Sequence, residues 1–93
     1  MDSRSFDSLT ASKHIKCLID GNYVFYYNEY VKLNIKIGIA INGTIIDDTI
    51  YETTIEPSII YTILSLKQND ILELVDIETN DKLHINNKNI FHI

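Results

Sequence analysis

The residues of this chain best suited to hold a metal are its three histidines, His14, His84 and His92, and its single cysteine, Cys17. His14 and Cys17 stand in a His-x-x-Cys spacing, but His84 and His92 complete no ligand pattern typical of zinc. Asp47-Asp48 is the nearest thing to a pair of catalytic acids. Neighbours on a strand point to opposite faces, so these two share a site only if a bulge rotates one of them. Gly21, Gly38 and Gly43 are isolated and build no phosphate-cradling loop. No serine sits in a nucleophile elbow. The sequence therefore assigns no catalytic residue, no metal ligand and no cofactor, and the expectation is a non-enzymatic protein.

Two surfaces remain. The first is aromatic: Tyr23, Phe25, Tyr26, Tyr27 and Tyr30 crowd into eight residues. Tyrosine brings contact area with little side-chain entropy to lose, which suits an interface; packing into a core uses the same residues. The second surface is acidic. Residues 41–81 carry nine carboxylates against Lys67 alone, with Asp47, Asp48, Glu52 and Glu56 in the first part of that stretch. Such a face attracts a basic partner and steers its approach.

Lys13, Lys16, Lys32 and Lys36 flank the aromatic segment, and basic residues around stacked aromatics are how small β-barrels bind single-stranded nucleic acid. A pI near 4.9 and a single arginine argue against it, because phosphate binding leans on Lys and Arg. The leading expectation is a protein-interaction module that binds a protein partner or itself. One variant is an acidic mimic of nucleic acid that blocks a basic protein. Nucleic-acid binding is the alternative.

The elements that must position these residues read mostly as strands. Eighteen isoleucines against two alanines favour pleated, half-buried surfaces. His14 to Asp20 and Asn22 to Asn28 read as a hairpin turning at Gly21-Asn22. Val31 to Ile41 alternates apolar and polar residues as a long strand with one wet face, although Gly38 and Ala40 leave that face bare. Asn42-Gly43 is a type I′ hairpin signal. Thr44 to Ile55 reads as a strand whose phase breaks near Asp47-Asp48. Glu56-Pro57-Ser58 then opens what reads as a helix over 57–68, with Ile59, Ile60, Ile63, Leu64 and Leu66 at helical spacing. Three further strands, 71–78, 82–86 and 90–93, close the chain. The expected fold is α+β and mostly β, an antiparallel curled sheet or small open barrel in the order β-β-β-β-α-β-β-β.

At 93 residues the chain is expected to form one domain over 13–93, preceded by a loose tail over 1–12. One cysteine allows no internal disulfide, the first residues are polar rather than signal-like, and no run is long enough to span a membrane. A cytoplasmic setting follows. The Ile, Asn, Tyr and Lys usage is that of AT-rich genomes, those of viruses and phages among them.

Overall fold

A computed structural model describes the backbone of residues 6–7 and the whole of residues 13–93. Nine strands are seen: β1 (Phe6–Asp7), β2 (Ile15–Cys17), β3 (Gly21–Glu29), β4 (Lys36–Ile41), β5 (Thr44–Ile45), β6 (Tyr51–Glu52), β7 (Ser58–Leu66), β8 (Ile71–Asp76) and β9 (Ile90–His92). They form two antiparallel sheets. The larger runs β1-β2-β8-β4-β5, with β6 also on β4, and the smaller runs β7-β3-β9. Both sheets feed one core. Ile15, Cys17, Ile37, Ile39, Leu72 and Leu74 face inward from the large sheet, and Tyr23, Phe25, Tyr27, Ile60, Leu64, Leu66 and Ile90 from the small one. Two layers that bury their inner faces against each other make a β-sandwich, so the sheet does not close into a barrel.

The expected helix over 57–68 is a strand. β7 pairs along its full length with β3, from Gly21↔Leu66 to Glu29↔Ser58. Its buried residues do alternate: Ser58, Ile60, Leu64 and Leu66 face the core. The alternation is masked in sequence because Ile59 and Ile63, on the opposite face, are also apolar. Two faces of Ile superimposed give spacings of one, three and four, which mimic a helix.

The expected hairpin at Gly21-Asn22 is also absent. Gly21 is the first residue of β3, and β2 and β3 belong to different sheets. Residues 18–20 carry the chain from one layer to the other. Glycine serves here for close approach rather than for a turn: a Cβ at Gly21 would lie 2.5 Å from Nε2 of His92. Beside the sequential pairs β1–β2 and β4–β5, the strand order rests on pairings distant in sequence: β2 with β8, β4 with β8, and β3 with β9.

The long strand expected from Val31 shortens to Lys36–Ile41 because Asn34 takes a left-handed φ of 65°. Gly38 and Ala40 are nonetheless buried on the outer side of β4. Ile45, Ile50 and Ile77 pack over Gly38 there, and a Cβ at that position would meet them at 3.3–3.5 Å. The Asn42-Gly43 turn forms as expected, with φ of 53° and 83° and β5 paired back on β4. The phase break near Asp47-Asp48 is a 3-10 turn, Asp47–Thr49, which splits the expected strand into β5 and β6.

Buried threonines hold these irregular pieces. The Thr49 hydroxyl donates to Ile46 O at 2.6 Å and accepts from Ile39 N at 2.9 Å. Thr53, fully buried, donates to Lys32 O at 2.7 Å and accepts from Ile35 N at 3.1 Å. Residues 82–86 form only a bridge, Val75↔Lys82, not the expected strand. The tail expected over 1–12 lies outside the described residues, except that Phe6–Asp7 pair with β2.

Candidate interaction face

The aromatic segment becomes β3, the central strand of the small sheet, and its alternation divides the tyrosines. Tyr23, Phe25 and Tyr27 point into the sandwich and are buried. Tyr26 points out. Tyr30 lies beyond the strand, largely exposed, on a different cleft. The segment expected to act as one surface is thus mostly core.

The outer face of the small sheet is where apolar residues meet solvent. Pairing sets Val24 between Ile63 on β7 and Phe91 on β9, and Tyr26 opposite Tyr61. Ile59 follows on β7, opposite Asn28. Tyr61 is 68% exposed, Ile63 61%, Ile59 46%, Phe91 42% and Tyr26 37%. The rings of Tyr26 and Tyr61 meet edge to face, with centroids 6.5 Å apart. Among the described residues no element packs over this face. Scattered exposed hydrophobes are ordinary, but a contiguous patch marks a contact surface. Sequence reasoning found only Tyr26 here. The signal for the rest was a run of nine residues, Ser58–Leu66, without a single charge.

The acidic residues Asp47, Asp48, Glu52 and Glu56 are all exposed. Glu52 sits opposite Lys36 across β6 and β4. Asp48 lines a cleft of about 220 Å³ that runs from Asp48–Tyr51 to Ile59–Thr62 of β7. Part of the acidic stretch therefore borders the apolar face on its β7 side.

A second cleft, of about 400 Å³, opens at the end of β3 and brings together Tyr27, Glu29, Tyr30 and His84. Burial, and then the Glu29 carboxylate, raise the Tyr27 phenol above its usual pKa. No hydrogen bond or ion pair joins Glu29 to His84 among the described residues.

The candidate metal ligands are dispersed. Cys17 is buried and donates to Ile19 O at 3.1 Å. His92 stacks on Tyr23 with ring centroids 4.6 Å apart. His84 lies at the other end of β3. Among the described residues no three of His, Cys, Asp and Glu gather. No helix among them is long and apolar enough to cross a membrane.

No protein-family model matches the chain, and no curated protein matches it. The fold is similar to the crystal structure of pika GITRL. The TM-score is 0.60 at 11% identity, over 89% of this chain and 72% of that one. This distant likeness bears on the sandwich alone.

Proposed function

We propose that this protein is a non-enzymatic interaction module whose contact surface is the outer face of the small sheet, centred on Tyr26, Tyr61 and Ile63. The observation that carries the reading is the continuity of that face. Val24, Tyr26, Ile59, Tyr61, Ile63 and Phe91 adjoin one another across three paired strands. The acidic border at Asp48 supports a partner chemistry: a protein with an apolar patch edged by Lys or Arg. The setting is the cytosol, of an infected cell if the chain is viral or phage-encoded.

Two of the four lysines that flank the aromatic segment in sequence speak against the nucleic-acid alternative. Stacking aromatics need cations beside them, yet Lys16 and Lys36 sit on the large sheet, while Tyr26 and Tyr61 face out from the small one. The acidic-mimic variant makes a different demand: the carboxylates, not the apolar face, must dominate binding.

Affinity capture from the native cell, compared across variants, tests the reading. Ile63→Lys with Phe91→Lys should remove the captured protein. Reversal of Asp47, Asp48, Glu52 and Glu56 to lysine should weaken capture and make it less sensitive to salt. Capture unchanged by the apolar pair and abolished by the acid reversal alone would favour the mimic and reject the face.

A further inference from the structure

The outer edge of β7 is the one long unprotected strand edge in the described structure. Proteins blunt exposed edges with short strands, charges, proline or bulges. Here β1, β5, β6 and β9 have two or three residues each, and a 3-10 turn interrupts β5 and β6. β7 has nine residues, no charge, no internal proline and an unbroken register with β3.

The hydrogen-bond parity of that edge can be deduced. Ile93 N donates to Asn22 O, so even-numbered residues of β3 bond toward β9 and odd-numbered ones toward β7. The register sets odd residues of β3 opposite even residues of β7. Ile59, Tyr61, Ile63 and Ser65 therefore direct their N–H and C=O groups outward. No hydrogen bond from another described element reaches them, and Asp48–Tyr51 face Ile59–Thr62 across a cleft of about 220 Å³.

We infer that a second copy of this chain pairs with this edge, β7 against β7 in antiparallel orientation about a twofold axis at Thr62. The strand is self-complementary about that residue. Tyr61 then falls opposite Ile63 of the partner, Ile60 opposite Leu64, and Ile59 opposite Ser65. Tyr61 and Ile63 both direct backbone groups outward, so each such pair is a hydrogen-bonded one. Thr62 meets its own copy in a non-bonded pair, where side chains approach most closely. Aromatic–β-branched and Thr–Thr pairs are favourable neighbours across strands. Charge agrees as well. A strand without charge sets no carboxylates against each other, and Lys67 of one copy comes beside Glu56 of the other. An isologous contact of this kind closes at two copies. It joins two small sheets into one of six strands and doubles the apolar face without covering it, so it does not depend on what that face binds.

The test is the mass of the full chain by sedimentation equilibrium, combined with cysteine crosslinking. The wild type should approach twice 10.7 kDa as concentration rises. Ile63→Lys should weaken the dimer by about two- to thirtyfold, since the changed pair occurs twice. Mild oxidation of Thr62→Cys should give a covalent dimer, because a non-bonded antiparallel pair holds the two Cα atoms within disulfide range. Ser65→Cys, which faces Ile59 in this register, should not crosslink. A folded wild type that stays monomeric at every concentration overturns the proposal. Equal crosslinking at positions 62 and 65 overturns it too.

Discussion

Tyr26 and Tyr61 meet edge to face across the β3–β7 pair, on the side of the small sheet turned away from the core. The geometry is favourable for two aromatic rings, yet Tyr61 is mostly exposed and Tyr26 partly so, and the contact gains less than a buried one. A pair so placed contributes modestly to the fold, and Tyr61 leaves most of its surface open to something else.

The first prediction separates those roles. Replacing either tyrosine by serine should leave the domain folded, and a double-mutant cycle in urea should return a coupling of about 0.5–1 kcal/mol. A loss of several kcal/mol, or loss of cooperative unfolding, would place the pair in the structural core instead.

Ser58 offers the opposite case. It is fully buried at the start of β7, and its hydroxyl has no hydrogen-bond partner. Burying an unpaired hydroxyl costs free energy. Ser58→Ala should therefore raise stability, by about 1 kcal/mol, read as a higher urea midpoint with an unchanged slope.

Thr53 latches residues 32–35, which lead into β4, through Ile35 N and Lys32 O. Thr53→Val keeps the shape and removes both bonds. It should cost about 2 kcal/mol, because the backbone groups are left without a partner. Hydrogen exchange at Ile35 should quicken with it.

Asp70 ties two turns together. It accepts from Lys67 N at 2.8 Å and from Asn42 Nδ2 at 2.9 Å. The backbone bond from Lys67 and then the Asn42 side chain lower its pKa below the usual 3.8. The stability this gives is present above the unfolded-state pKa and is lost as pH falls through the lower folded value. Asp70 should titrate by NMR below an unperturbed aspartate, and Asp70→Asn should flatten the stability profile in that acid range.

Local backbone chemistry was legible in the sequence, and layer crossing was not. Asn42-Gly43 could be read because positive φ at two adjacent positions admits few residues. The break at Asp47-Asp48 showed as a lost phase. Gly21-Asn22 looked like a similar turn, but whether a glycine turns the chain or lets His92 approach depends on a strand seventy residues away. β7 reads as a helix in the sequence because Ile59 and Ile63 spoil its alternation. Those residues spoil it by being apolar on the solvent side, and that is why they belong to the candidate site. The acidic stretch was visible, whereas its position beside β7 depends on the pairing of β6 with β4.

Site-specific photocrosslinking in the native cell tests the contact face most directly. A photoreactive side chain at position 61, on the outer face, is compared with one at position 13, away from the small sheet. Position 61 should yield a discrete adduct with a protein other than a second copy of this chain, lost when Ile63→Lys and Phe91→Lys are added, while position 13 yields none. No adduct at position 61, or the same adduct at both positions, would contradict the assignment of the small sheet's outer face as the contact surface.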